Sequence, residues 1–352
     1  MKLSFIIPAY NAATTLKRAV ASIDTKQDHE IIIINDGSTD DTVETIENLA
    51  RDYKTIRVIH QKNKGAAASR NVGLDHMTGD AFMFIDADDE FLPSRIDAMV
   101  KYMERDEGVD IVIGQLARDM HGTWSSIKTH EALRKFELVH LREFPDVMQS
   151  IGPGAKLFRA RLGDIRFDED VVFCEEHTYI VQAYQKARQI QLIADLVYGY
   201  NEAASSVTAQ RVDRFEQYMA DAVTVRERVM AQLNYPNEQV YYSYRMDGLI
   251  VSYLLEAHLR QSPKMRSDLL ETVTDYMKRM ATGHYSGEAM FRFVHVIEQG
   301  TSGWNGSDYT LWKETLLDLG IGRPNAFLFQ VQRTPKRLAY QGKQVLKRIL
   351  RK

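Results

Sequence analysis

The sequence predicts an α/β fold: a mainly parallel sheet covered by helices on both faces, followed by an α-helical region. Three observations predict it. Apolar strand-like segments alternate with amphipathic helical segments from the N-terminus to about residue 115. Those strand-like segments are solidly β-branched or aromatic, without the alternation of a sheet that has one wet face. Beyond Arg211 the strand pattern stops and only the helical period remains. The division expected is therefore residues 1–210, a helical domain at 211–332, and a basic amphipathic tail at 333–352.

The elements follow in order. "LSFIIP" reads as a buried strand. Asn11 is placed to cap the helix after it, whose Leu16, Ala19, Val20 and Ile23 share one face. "EIIIIND" is a second strand. Ser38 and Thr39 offer caps to a helix carrying Val43, Ile46, Ala50 and Tyr53. "IRVIHQ" is a third strand, "GAAASRNVGLDHM" a short helix, and "AFMFIDA" a fourth strand. Ile96, Met99, Val100 and Met103 form the next helical stripe, and "VDIVIGQ" is a fifth strand. Residues 115–210 mix both patterns. Helices are expected at 213–233, 238–260, 264–282 and 307–319, the second with Leu249, Ile250, Tyr253, Leu254 and Ala257 on one face.

Composition narrows the function classes. A net charge of −3 gives no electrostatic reason to expect nucleic acid as a partner. Cys174 is the one cysteine, which excludes an intramolecular disulfide and a cysteine zinc site and suits a reducing cytoplasm. The longest apolar run, "GLIVSYLLEAHL", is interrupted at Glu256, short of the ~20 residues a membrane span needs.

The chemistry concentrates where strands end. Open parallel sheets bind ligands beyond the carboxyl ends of their strands. Pro8 to Asn11, Asp36 to Ser38 and Asp86 to Asp89 all fall at such ends. In "FMFIDADDEF" three acids follow an apolar strand. Carboxylates crowded there repel unless they stay solvated or share a divalent cation, and oxygen ligands suit Mg²⁺ or Mn²⁺ bridging to phosphates. An acid-rich turn capping the helix near Pro93 is the plain alternative. A D-x-D pattern by itself favours that alternative.

The ordered set "PAYN", "NDGSTDDT", "NKGAAASRNVG" and "DADD" resembles the family 2 glycosyltransferases, inverting enzymes of the Rossmann-like GT-A fold that use nucleotide sugars. The likeness spans residues 3–110, with a weaker echo to about 208. It implies that Pro8, Ala9 and Tyr10 flank the base and that Asp36 accepts from the base edge, although Asp36 also suits a helix cap and Tyr10 suits the core. Asn63, Lys64 and Arg70 would lie on the nucleotide side. Gly65 would permit close backbone approach, with helix amides beyond it for an anion. Asp86 and Ala87 would border the ribose or the metal, and Asp88 would bind Mn²⁺ or Mg²⁺. Asp89 would join the metal side or serve as a helix cap near Pro93.

Inversion by direct displacement needs a carboxylate base on the acceptor side. The resemblance places it in an acidic pair after a "KLF"-like strand. Here the pair is Glu175-Glu176 where the family has Glu-Asp, so Glu176 takes the base position with Asp170 as its competitor. The same pair would also suit an acidic helix start. His177 reads as structural, with a third metal ligand as its alternative, Lys156 as either acceptor-side or a strand-edge lysine, and Gly152-Pro153-Gly154 as a tight turn. "YGYNEAASSVT" resembles the closing loop, with Ser205 and Ser206 as phosphate donors. Tyr241, Tyr242, Tyr244 and Tyr253 are packing residues or a sugar-facing set.

The function implied is transfer of a hexose or N-acetylhexosamine from a UDP-sugar to a cell-surface glycan, teichoic acid or lipid-linked acceptor, in the cytoplasm or at the inner membrane face. A nucleotide-sugar-binding scaffold without catalysis is the alternative, supported by the Glu-Glu departure. A nucleotidyltransferase would need a glycine- and arginine-rich phosphate loop, which "IIPAYNAATTLKRA" lacks. The tail "RTPKRLAYQGKQVLKRILRK" carries eight basic residues and no acid. Such a tail suits peripheral membrane contact, binding of a polyphosphate polymer, self-association or simple solvation.

Overall fold

The computed structural model describes residues 1–120, 123–201 and 213–349. The chain forms two compact units, Met1–Ser206 and Val207–Lys352.

The first unit is built on β1 (Lys2–Ala9), α1 (Leu16–Ala21), β2 (Asp28–Asp36), α2 (Thr42–Asp52), β3 (Ile56–Gln61), α3 (Gly65–His76), β4 (Ala81–Phe84), β5 (Glu90–Phe91), α4 (Ile96–Arg105), β6 (Val109–Asp119), β7 (Trp124–Ser126), β8 (Glu137–Val139), β9 (Lys156–Arg159), α5 (Glu176–Lys186) and β10 (Gln189–Tyr200). One ten-stranded sheet runs in the order β3-β2-β1-β4-β9-β6-β10-β5, with β7 on β6 and β8 on β10. The pairs β1–β2, β1–β4, β2–β3 and β6–β10 are parallel. β9 is antiparallel to both its neighbours, β4 and β6. All four isoleucines of β2 are essentially inaccessible, as a strand covered on both faces requires.

Two expected caps have other tasks. Asn11 does not cap α1; its Oδ1 accepts from the Thr39 amide at 2.8 Å and so ties the β1 end to the β2–α2 loop. The start of α2 is held by Asp40, whose Oδ1 accepts from the Thr42 amide at 3.0 Å, whereas Ser38 Oγ accepts from the Asn11 amide. The buried face of α2 is Thr42, Ile46 and Leu49, one step round from the face expected, and Tyr53 is exposed.

The helix α3 lies unusually close to the sheet. A Cβ on Gly73 would come within 2.2 Å of Ile6 Cγ2 in β1. Glycine at this position lets the helix press Arg70 and Asn71 into the interior, where both are nearly inaccessible.

The second unit is helical: α6 (Phe215–Gln232), α7 (Pro236–Ser243), a π-helical stretch Tyr244–Val251, α8 (Ser252–Gln261), α9 (Ser267–Met280), α10 (Gly287–Gly300), α11 (Gly306–Asp318) and α12 (Ala326–Ile349). α10 lies where no helix was expected. α12 begins at Ala326, ahead of the tail drawn at residue 333. The π-helical turns rotate the buried face, so Met246, Val251, Leu254, Leu255 and Leu259 are buried while Leu249, Ile250 and Ala257 are only half-buried. Asp247, inside that stretch, is buried with Arg226. Arg226 Nε donates to both its oxygens (2.9 and 3.1 Å), and the Ser243 and Tyr276 hydroxyls donate at 2.7 Å each. Tyr242 is a core residue; Tyr241, Tyr244 and Tyr253 are half-buried.

The Gly73 contact yields a direct test. Gly73→Ala forces α3 away from β1 and is expected to cost about 1–3 kcal/mol, read as a lower urea midpoint; an unchanged midpoint would show that α3 has room to spare.

Candidate active site

Topology gathers the site. β1, β2, β3 and β4 end at one rim of the sheet. β10 and β6 run parallel to β4 through the inverted β9, so β10 also ends there. Because β9 is inverted, its first residue, Lys156, lies at that rim as well. Three non-glycine residues with left-handed backbone occur in rim segments: Asn11 (φ 49°), Ala155 (φ 58°) and Cys174 (φ 62°). Such conformations cost energy and persist where surrounding structure imposes them.

Arg70 is the hub. It projects from α3, and its side chain is 7% exposed. Nη2 donates to Asp86 Oδ1 at 2.8 Å and Nη1 to Glu175 Oε1 at 3.2 Å, while the guanidinium lies 5.4 Å from the centre of the Phe167 ring. Nε is buried without a hydrogen-bond partner. Burial opposes its charge, but Asp86 and Glu175 outweigh that and hold it protonated. Thus Asp86 on the donor side and the acidic pair on the acceptor side, far apart in sequence, meet at one cation.

The carboxylates outnumber that cation. Burial and then Asp86 raise the Asp88 carboxyl above its ordinary range. Burial, with Asp86 and Asp88 adding, pushes Asp89 up to about 8. Burial, with Glu176 adding, pushes Glu175 up to about 8. Glu176 is also raised by burial, against its own backbone amide and Arg70, and its carboxyl is hydrogen-bonded to that of Glu175. Asp86, Glu175 and Glu176 thus share the Arg70 guanidinium, and Asp88 and Asp89 stand beside Asp86, with Arg18 acting on Asp88.

Asp89 is not the cap of α4. Its Oδ1 accepts from the Asn201 amide at 2.8 Å, and it is 2% exposed. The Tyr198 hydroxyl accepts from the Asp86 amide at 3.0 Å and donates to the Asp89 carboxyl. β5 pairs with the end of β10, and the Leu92 amide donates to Val197 O at 2.8 Å. The acidic turn is thereby sewn to β10, and the Arg18 guanidinium donates to Asp88 O at 2.5 Å.

Asp36 spends its carboxylate on backbone. Oδ1 accepts from the Lys64 amide (2.9 Å) and Gln61 Nε2 (2.7 Å), and Oδ2 accepts from the Gly65 amide (2.8 Å). It fastens the start of α3, not α2. Pro8 is half-buried, Ala9 is buried and Tyr10 is 52% exposed, so Tyr10 is not a core residue. Asn63 and Lys64 are exposed; Ala87 is buried.

On the acceptor side Lys156 is neither an edge lysine nor exposed to an acceptor. It is fully buried, and Nζ donates to Ser150 Oγ (2.6 Å), Gly152 O (2.5 Å) and Gly154 O (3.3 Å). Burial lowers its ammonium to about 7, with Glu176 opposing. The ammonium thus fixes the Gly-Pro-Gly turn, and Gly154 lies against the Tyr198 ring. His177 is buried, with Nε2 3.9 Å from Glu176 Oε1. Asp170 is exposed. Ser205 and Ser206 lie outside the described residues.

Sequence reasoning missed Tyr198, Asn71 and the role of Glu175. Asn71 exchanges hydrogen bonds with the Phe167 backbone (Nδ2 to O 3.0 Å, N to Oδ1 2.8 Å). The available signal for Tyr198 was its position at a strand end facing the acidic turn.

Among the described residues no three carboxylate, histidine or cysteine ligands are grouped in a metal-holding arrangement. The adjoining carboxylates of Asp86 and Asp88 nevertheless fit a hard divalent cation, which takes few protein oxygens and completes its shell with phosphate and water.

The sequence profile named "Glycosyl transferase family 2" matches residues 4–165. The TagX protein of Staphylococcus aureus strain MSSA476, named as a glycosyltransferase, is 31% identical over 354 residues, covering 99% of this chain and 100% of that one. Among solved structures, S. aureus TarS 1-349 matches with a TM-score of 0.63 at 17% identity, covering 85% of this chain and 91% of that one. Its complex with UDP-GlcNAc matches with a TM-score of 0.59 at 18% identity, with the same coverage. The mannosyltransferase PcManGT from Pyrobaculum calidifontis, in complex with GDP-Man and Mn2+, matches with a TM-score of 0.54 at 16% identity, covering 84% of this chain and 86% of that one. The chain belongs to glycosyltransferase family 2 and is a glycosyltransferase of the GT-A fold.

Proposed function

We propose that this glycosyltransferase moves a hexose or N-acetylhexosamine from a UDP-sugar to a hydroxyl of a cell-surface glycan, teichoic acid or lipid-linked acceptor, with inversion, and that it uses Mn²⁺ or Mg²⁺. The observation that carries the reading is the Arg70 bridge, which puts the acidic turn and the Glu175-Glu176 pair at the same rim. The UDP-GlcNAc complex of TarS supports a UDP-sugar, and the Mn2+ complex of PcManGT supports a divalent ion. A nucleotide-sugar donor sets the reaction in the cytoplasm, where such donors are made.

In this reading Pro8, Ala9, Tyr10, Asp36, Asn63 and Lys64 border the nucleoside. Asp36 does so mainly by fixing the Lys64 and Gly65 amides, with lone pairs left on Oδ2. Asp88, with Asp86, would hold the cation. A bound cation there supplies charge neutralisation for the departing diphosphate. Glu176 takes the proton from the acceptor hydroxyl as that oxygen attacks the anomeric carbon, and the bond to the nucleoside diphosphate breaks on the opposite face. Arg70 orients Glu175, whose hydrogen bond positions Glu176. Lys156 keeps the neighbouring turn from collapsing onto that carboxylate.

Three outcomes follow. Glu176→Gln is expected to lower kcat by about 10²–10⁴-fold while thermal-shift binding of UDP-GlcNAc is kept, whereas Asp170→Asn stays active; normal turnover in the Glu176 variant would move the base elsewhere. In a thermal-shift screen of UDP- and GDP-sugars, Mn²⁺ should add stabilisation with the true donor, and Asp88→Asn should lose that increment but not the fold. An Asp88→Asn protein with the full Mn²⁺ increment overturns the metal assignment. The third concerns pH. Burial raises the Glu176 carboxyl, so protonation switches the base off at a pH above the ordinary carboxylate range. kcat/KM should therefore climb with pH through an apparent pKa clearly above 4.5, and a plateau already reached at lower pH would contradict it.

A further inference from the structure

The acidic turn from Asp86 to Asp89 closes on itself. The Asp89 amide donates to Asp86 O at 3.0 Å. Asp86 and Asp88 are half-buried, whereas Ala87 and Asp89 are buried. The turn therefore keeps two carboxylates accessible and sends its fourth residue inward, where it meets Tyr198.

Tyr198 comes from the end of β10 and is 2% exposed. Its hydroxyl touches both ends of the turn. A backbone amide can only donate, so the hydroxyl oxygen accepts from Asp86 N, at 3.0 Å. The one hydroxyl proton is left for the Asp89 carboxyl, to which it is donated. A single oxygen atom thus clips the first and fourth residues of the turn from the buried side.

The ring is held as firmly as the hydroxyl. Phe91 meets it edge-on at 5.6 Å between ring centres. The register of β10 against β6 shifts between Leu196 and Tyr198, and irregularities of this kind re-aim a side chain relative to the pleat. Gly154 also lies against the ring, where a Cβ would come within 3.1 Å of Tyr198 Cζ. Gly154 belongs to the turn that Lys156 Nζ holds through the Gly152 and Gly154 carbonyls. A core tyrosine needs only one partner for its hydroxyl. This one spends both capacities on the residues that bracket Asp88.

We propose that Tyr198 is a positioning residue for a divalent cation at Asp86 and Asp88: its hydroxyl fixes both ends of the turn and so sets the affinity with which the turn takes Mn²⁺. The inference rests on the reading of Asp86 and Asp88 as the cation's ligands. Ligating carboxylates rely on outer hydrogen bonds for their orientation, and loss of such a partner typically lowers metal affinity ~10–100-fold.

The test is a Mn²⁺ titration of the full chain in the presence of UDP, with free Mn²⁺ read from its electron paramagnetic resonance signal. Tyr198→Phe keeps the ring and removes the clip. It should bind Mn²⁺ about tenfold more weakly, or worse, while keeping a cooperative thermal transition. If that variant does not fold, Gly154→Ala decides, since it pushes the ring and keeps the hydroxyl; it should weaken Mn²⁺ binding several-fold. Asp88→Asn, titrated alongside, should lose the site. Wild-type Mn²⁺ affinity in the deciding variant, with Asp88→Asn impaired, overturns the proposal and leaves the metal reading standing. A merely structural tyrosine gives that result, with only the melting midpoint lowered. Wild-type affinity in Asp88→Asn, or no Mn²⁺ bound by the wild type, overturns the metal reading and the proposal with it.

Discussion

One buried guanidinium decides the form of the active rim. Arg70 reaches Asp86 with one nitrogen and Glu175 with another, so the end of β4 and the start of α5 hold a fixed separation. Lysine could not do this, since a compact ammonium lacks the planar fork that addresses two carboxylates from one centre. The position of the fork depends in turn on α3 lying against β1, which Gly73 permits, and on Asn71 pinning the backbone of Phe167 beneath the guanidinium. Removing either carboxylate would leave a buried cation half-compensated, which is costly in a low-dielectric setting.

Around this hub, charged groups are spent on backbone. Asp36 binds the Lys64 and Gly65 amides, Asp89 binds the Asn201 amide, and Lys156 binds the carbonyls of Gly152 and Gly154. Each interaction fixes a loop that would otherwise be free at the end of a strand. The left-handed Ala155 adjoins the turn that Lys156 holds, so the strain there is offset by charge-assisted hydrogen bonds close by. The rim is thus organised before any ligand arrives, and ordering costs that a substrate would otherwise bear are met on folding.

Much of this was legible in the sequence. Solid apolar strands and the acids that end them located the sheet and its rim, because burial on both faces leaves a one-dimensional signature. β3 matched its expected span, and α4 buried the expected stripe of Ile96, Met99, Val100 and Met103. What failed was long-range or geometric. The caps assigned to Asn11 and Ser38 are sequence-local guesses, and those residues bond instead to each other's loops across the sheet end. The π-helical turns that rotate α7 and α8 leave no mark in a 3.6-residue period. β9, which inverts direction between two parallel strands, cannot be oriented from composition. Yet its inversion is what brings Lys156 to the acidic rim. Asp89 looked like a cap because its partner, the backbone of Asn201, is remote in the chain.

The excess of carboxyl groups over cations also links the two halves of the site. Burial, with the neighbouring carboxylates adding, raises Glu175 and Asp89 to about 8, so both tend to hold protons near neutrality. The charge of Arg70 is shared between Asp86 and Glu175. Any positive charge that comes to neutralise Asp86 therefore leaves more of the guanidinium's field to the glutamates and favours their ionised forms. Donor-side charge and the proton affinity of Glu176 are coupled through a single side chain, so that the carboxylate best able to accept a proton is the one beside an occupied donor pocket.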